Sequence, residues 1–363
     1  MARPKNADMR EFILHNVQDH GPDIATFAAQ HFGMSRASVN GYLRTLVDEG
    51  LLTSTGKTRA RVYKLKPLEQ FAYELELTEA TQEDIVWRDI FYPRLKTLPE
   101  NILAICDYGF NEMLNNAIDH SDSKSCRLYY TRNYAELTLV VQDLGVGIFE
   151  KITKECNLTD KHEAILELSK GKLTTDSSKH TGEGIFFTSR MFDKFAIMSG
   201  DMTYTRSKKD DDDWLVEAKK GDSFAQGTVV MMEIALTSAH TVKEVFEKYI
   251  DDDFKFLRTH VPLRLAKYEG ETLVSRSQAR RLLKRVERFS EVMLDFDGIT
   301  EIGQAFADEI FRVWRREHPG ISIIPVRFSK DIERMIRHAI ANDSSANAGE
   351  QLSLSLEENR DHS

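Results

Sequence analysis

Two short segments constrain this 363-residue chain more than anything else in it. In Asn111-Glu112-Met113-Leu114-Asn115-Asn116-Ala117-Ile118-Asp119-His120, helical spacing places Glu112, Asn116 and His120 at i, i+4 and i+8, on one face. Phe110, Met113, Leu114, Ala117 and Ile118 supply the buried side, so the helix is amphipathic with a polar, reactive stripe. The second segment follows Leu137 to Gln142, a β-branched run that reads as a buried strand. That strand ends in Asp143-Leu144-Gly145-Val146-Gly147, one carboxylate and two glycines. Such a turn suits an acceptor that must meet a planar donor.

Together these residues resemble the N box and first glycine box of the GHKL nucleotide-binding superfamily, which includes histidine kinases, type II topoisomerases, Hsp90, MutL and the anti-sigma-factor serine kinases. Downstream, Thr181-Gly182-Glu183-Gly184-Ile185-Phe186 opens a helical stretch through Phe195 and is similar to the second glycine box. Gly227-Thr228-Val229, ahead of the strand Val230 to Leu236, is similar to the late Gly-Thr motif. Any one of these glycine turns alone reads as an ordinary turn or cap; their order along residues 102 to 236 is what makes the signal.

The resemblance implies an α/β sandwich of the Bergerat type that binds ATP with Mg²⁺. Asp143 would accept from the adenine amino group, where guanine offers a carbonyl. Gly145 and Gly147 would let backbone approach the base, and Thr228 would complete that pocket. Asn116 would offer a neutral oxygen to Mg²⁺, with His120 beside the nucleotide. Gly182 and Gly184 lie at a helix start, where free N–H groups favour phosphate. Glu112 would orient or deprotonate the nucleophile. Residues 148–180, containing Lys170, Lys172 and Lys179, stand where the family places a lid over the phosphates.

The amino-terminal 66 residues carry a second, independent signal. They hold a net charge of +4 inside a chain of −9, which leaves −13 on the rest. One part is therefore suited to a polyanion and the other is not. Met9, Phe12, Ile13 and Val17 have helical spacing, residues 24–31 repeat it, and Ser35 can cap a third helix stopped by Gly50. On that helix Val39, Leu43 and Leu46 form a core stripe, while Ala37, Asn40, Gly41 and Arg44 form a small, polar one suited to a major groove. A hairpin with Lys57, Arg59 and Arg61 at its tip follows. The whole resembles a winged helix-turn-helix, which implies DNA contacts from Arg36, Asn40, Arg44, Lys57, Arg59 and Arg61; a winged helix can also serve protein contact alone.

The expected organisation is a multidomain α+β chain: a winged helix over 1–66, an ordered connector over 67–100, the GHKL domain over 101–240, a small α/β domain over 241–340 and a disordered tail over 341–363. In the connector, Trp87, Phe91 and Tyr92 are expected to pack against the nucleotide domain. The α/β domain alternates a helix over Ser275 to Phe289, a strand Val292 to Phe296, a helix Gln304 to Arg316 with core stripe Phe306, Ile310 and Val313, and a strand Ile321 to Ile324. It resembles a STAS-like domain of unknown function found behind GHKL domains. Bacterial STAS domains antagonise anti-sigma-factor kinases and are phosphorylated on a Ser or Thr at the start of the helix after such a strand. Here residues 301–305 contain no hydroxyl and only Thr300 is near, which argues against self-phosphorylation.

Cys106, Cys126 and Cys156 are too few and scattered for a disulfide framework or zinc site. With no spanning apolar run and no signal peptide, a cytoplasmic protein with no membrane partner is expected. The leading expectation is an ATP-dependent DNA-binding regulator whose STAS-like module contacts a protein partner. The alternative is a serine/threonine protein kinase of the anti-sigma-factor type acting on a separate partner. Slow ATP hydrolysis, phosphoryl transfer to protein, a purely structural nucleotide and homodimerisation stay open at this level.

Overall fold

A computed structural model describes residues 6–173, 182–208, 212–217, 226–251, 253, 255–268 and 270–341. The expected tail lies outside these residues except for Ala341, as does Thr181.

The amino-terminal unit is three helices and a hairpin: α1 Asn6–Asn16, α2 Ile24–Phe32, α3 Arg36–Asp48, then β1 Leu52–Thr55 paired antiparallel with β2 Val62–Leu65. The Ser35 hydroxyl accepts from Ser38 N at 3.2 Å and starts α3. Gly50, at φ +74, stops it, with Leu51 N donating to Leu46 O at 3.0 Å. That six-to-one bond needs the left-handed residue glycine supplies. Met9, Ile13, Val17, Ala28, Val39, Leu43 and Leu46 close a core of their own.

Residues 67–100 are more than a connector. They supply β3 Glu69–Glu76, an edge strand of the main sheet, and the run α4 Glu83–Val86, a π-helical turn Trp87–Phe91 and α5 Tyr92–Leu95. Trp87 and Phe91 are buried against Phe110, the latter pair 4.4 Å apart between ring centres. Tyr92 faces solvent at 44% exposure, because the π turn rotates it off the buried side.

Among the described residues the main sheet has seven antiparallel strands in the order β3-β4-β5-β9-β6-β7-β8, where β4 is Ser125–Arg132, β5 Glu136–Asp143, β6 Lys194–Ser199, β7 Met202–Ser207, β8 Asp212–Glu217 and β9 Val229–Ala235. Strand alternation buries Leu137, Leu139, Val141 and Asp143 on one face of β5. That face meets α6 Glu100–His120, which also packs on α9 Gly184–Met191. Between β5 and α9 lie α7 Ile148–Glu155 and α8 Lys161–Lys170. The helix expected to run to Phe195 ends at Met191, since Lys194 to Met198 pair with β9 and Phe195 is strand.

After α10 Val242–Glu247, held by a Thr241/Glu244 capping box, comes a parallel three-stranded sheet: β10 Arg258–Pro262, β11 Glu291–Asp295 and β12 Ser322–Val326. Its helices are α11 Arg276–Leu283, α12 Gln304–Asp308, α13 Arg315–Glu317 and α14 Lys330–Ala341. The helix expected over Ser275 to Phe289 stops at Leu283, with Arg285 in left-handed backbone at φ 62. A π turn over Glu309–Trp314 shifts the anticipated stripe: Phe306 and Ile310 are buried, Phe311 takes the next inward place, and Val313 is half-buried. Among the described residues no helix is long and apolar enough to cross a membrane.

Candidate functional site

Where α6 crosses the end of β5, a cavity of about 340 Å³ opens, within the size range of small-molecule sites. It is lined by Glu112, Asn116 and His120 from α6, Asp143 from β5, Gly147, Thr228 before β9, and Gly182 and Gly184 at the start of α9. Met113, Val141, Ile148, Ile152, Ile185 and Val230 give it apolar walls. Helical period and strand period meet here: the i, i+4, i+8 stripe and the buried parity of β5 aim at the same space.

Asp143 is buried, and two backbone N–H groups converge on its Oδ1, Gly145 at 2.8 Å and Thr228 at 3.2 Å. Burial pushes its pKa up while those bonds oppose the shift. Thr228 ties three pieces together: its carbonyl accepts from Asp143 N at 3.0 Å and its hydroxyl accepts from Ile148 N at 3.0 Å. Gly147 sits at φ +83, where an added Cβ would press on the Ser199 hydroxyl, itself donating to Gly227 O at 2.9 Å. Gly145 does not line the cavity; a Cβ there would overlap the Ser121 carbonyl, so this glycine serves the close approach of the turn to the end of α6.

Glu112 lies against the first residue of α9, where a Cβ on Gly184 would overlap its carboxylate. Burial raises the Glu112 pKa, and the negative charges of Glu83 and Glu183 raise it further. Asn116 Nδ2 is buried without a hydrogen-bond partner. Such an orphan is costly unless a ligand completes it. Turning the amide over exchanges nitrogen for oxygen, so the same position can serve an anion or a cation. Among the described residues no group of three or more His, Cys, Asp and Glu side chains could hold a metal by itself.

Lys151 was not singled out from the sequence. It lines the cavity from α7, and its Nζ donates to the His120 carbonyl at 2.9 Å. Its position one turn past Gly147 was the available signal, visible once α7 is started at that glycine. Of the lysines in residues 148–180, Lys170 and Lys172 turn instead to the carboxy-terminal unit, bonding the carbonyls of Lys284 and Arg288. Lys179 lies outside the described residues.

On the amino-terminal unit Arg36, Asn40 and Arg44 are exposed along one side of α3, and Lys57 and Arg61 are exposed at the hairpin tip. The Arg59 side chain lies outside the described structure. This unit rests on the β4–β5 turn: Gln18 Nε2 donates to Glu136 Oε1 at 2.7 Å, and the Tyr134 hydroxyl donates to Glu11 Oε1 at 2.6 Å. Tyr134 and Ala135 also pack against its core. β5 therefore touches the helical unit at Glu136 and the cavity at Asp143.

In comparison with known proteins, residues 278–333 match the STAS-like domain of unknown function (DUF4325). The chain thus carries a STAS-like domain in its carboxy-terminal unit. No curated protein matches the chain.

Proposed function

We propose that the chain is an adenine-nucleotide-dependent DNA-binding regulator, in which a GHKL domain links a winged helix to the STAS-like domain. The observation that carries the reading is the buried Asp143 carboxylate on the wall of a cavity that also receives Glu112 and the unpartnered Asn116 Nδ2. A buried carboxylate held by backbone donors on one oxygen is a fixed acceptor, suited to the amino edge of adenine between apolar walls. Asn116 would hold Mg²⁺ together with phosphate oxygens and water, as this ion prefers few protein ligands. When bound, Mg²⁺ would neutralise phosphate charge. Glu112, made more basic by burial, would take the proton of an attacking hydroxyl.

The exposed face of α3 and the basic hairpin tip support DNA as the polyanion, since phosphate contacts dominate such affinity. The contact between Gln18 and Glu136 supports coupling through β5, in addition to the chain linkage through residues 67–100. The STAS-like domain favours a second reading, transfer to a serine or threonine of a separate partner, because the same Glu112 chemistry serves either acceptor. Calorimetric titration with ATP, with and without Mg²⁺, tests the reading. Binding should tighten with Mg²⁺, and Asn116→Ala should abolish that gain while leaving metal-free binding within about threefold. Absence of ATP binding to the wild type refutes it, and labelled γ-phosphate appearing on a protein instead of in solution selects the kinase.

A further inference from the structure

α8 is buried from Glu163 to Lys170, although six of its ten residues are charged or polar. One side faces the cavity, which Leu168 and, just beyond the helix, Leu173 help to line. The other side is held by the unit that contains the STAS-like domain. Lys284 Nζ meets Glu163 Oε1 at 3.1 Å, and Arg285 meets Glu167 Oε2 at 3.7 Å. Glu167 pairs in turn with Lys170 at 2.7 Å, with side chains only 2% and 1% exposed, and Lys170 Nζ donates to Lys284 O at 2.8 Å. Thr259 donates to Lys170 O at 2.6 Å, Tyr268 to Asp160 at 2.6 Å, and Arg285 to Cys156 O at 3.3 Å.

Apolar contact alone is non-directional. Glu163 and Glu167 are 5% and 2% exposed, and a shift of α8 would leave these buried carboxylates without their partners from the other unit. The pairs from Lys284 and Arg285 therefore set where α8 lies along its own axis, and with it the position of Leu168 against the cavity. Arg285 adopts left-handed backbone at φ 62, a conformation uncommon for a residue with a side chain. The adjoining contact is aromatic, Phe186 on Phe256 at 4.6 Å and Phe256 on Phe289 at 5.2 Å.

We propose that the carboxy-terminal unit is an internal clamp on the cavity wall: by holding α8 through Lys284 and Arg285 it sets how fast ligand enters and leaves. The clamp rests on the nucleotide reading for the identity of that ligand. A partner that engaged the Lys284 and Arg285 corner would loosen α8 and speed exchange without touching the cavity.

The test uses the full chain, with hydrogen exchange over residues 161–173 and stopped-flow release of a fluorescent ADP. Lys284, partly exposed, tolerates reversal. Lys284→Glu should speed α8 amide exchange and ADP release, each about tenfold or more, and Glu163→Lys added to it should restore both. Tyr268→Phe, a milder change, should move both in the same direction by a smaller factor. Faster α8 exchange with unchanged ADP release overturns the gating; unchanged α8 exchange in both variants overturns the clamp itself. If the wild type binds no ADP, the nucleotide reading and the gating of its exchange fail together, while the α8 amides still decide whether this unit holds the helix.

Discussion

Asp143→Asn is the sharpest perturbation of the cavity because it changes one acceptor into a donor at nearly constant volume. Asparagine can keep both backbone bonds now made to Oδ1, from Gly145 at 2.8 Å and Thr228 at 3.2 Å, so the strand end and the turn should survive. Its other terminal atom is then an NH₂ directed where the carboxylate oxygen would meet the base. A hydrogen bond to a charged acceptor contributes about 1.5–3 kcal/mol, and a buried donor facing another donor costs about 1–3 kcal/mol. The sum is about 3 kcal/mol or more, a loss of about a hundredfold in ATP affinity. GTP should behave oppositely, because guanine presents a carbonyl that the new NH₂ can reach. Calorimetry with both nucleotides, alongside a thermal melt, measures this. A loss of ATP affinity below about threefold, or an equal fall for ATP and GTP in a folded variant, refutes the role given to Asp143.

Three further outcomes are expected. Glu112→Gln should retain ATP binding within a few-fold and lose phosphate release by about a hundredfold or more, measured under single-turnover conditions. Gly184→Ala should mimic that loss, because the methyl group takes the space of the Glu112 carboxylate; unchanged turnover in a folded protein would contradict the contact. In the STAS-like domain, burial opposes ionisation of Asp295, but hydrogen bonds from His260 at 2.9 Å and from Arg327 outweigh it and hold the pKa well below the ordinary range. A depressed folded pKa means the unfolded chain takes up the proton first, so this stability is present above the usual carboxylate pKa and is lost as pH falls below about 4. Acid melts of wild type and Asp295→Asn should therefore converge toward low pH and differ most near neutrality.

What the sequence made legible and what it hid divide along physical lines. The stripe of Glu112, Asn116 and His120 follows from helical period alone, and Ser35 and Gly50 mark the ends of α3 by local chemistry. β3 was hidden because an edge strand has one neighbour and two largely exposed faces, so Glu69 to Glu76 lacks the clean alternation of a half-buried strand. The end of α9 was hidden because Phe186 to Phe192 are buried without a break, with polar Thr188, Ser189 and Arg190 among them, and full burial erases the difference between helix and strand periods. Val313 and Tyr92 were misplaced by π turns, which insert a residue no pattern of 3.6 anticipates. Lys151, the clamp on α8 and the seat of Gln18 on Glu136 depend on contacts between distant segments. Local pattern carries no information about those.

Coupling between the cavity and the helical unit is the central claim, and fluorescence anisotropy on DNA fragments from the protein's own promoter region at fixed salt tests it most directly. Titrations without nucleotide, with ADP and with a non-hydrolysable ATP analogue should give affinities that differ several-fold to about a hundredfold, the usual span of a coupling free energy of about 1–3 kcal/mol. DNA should then shift the affinity for the analogue by the same factor. Arg44→Ala should weaken binding in every state, and Glu136→Ala should shrink the difference between states. Specific binding with one affinity in all three nucleotide states would contradict the account.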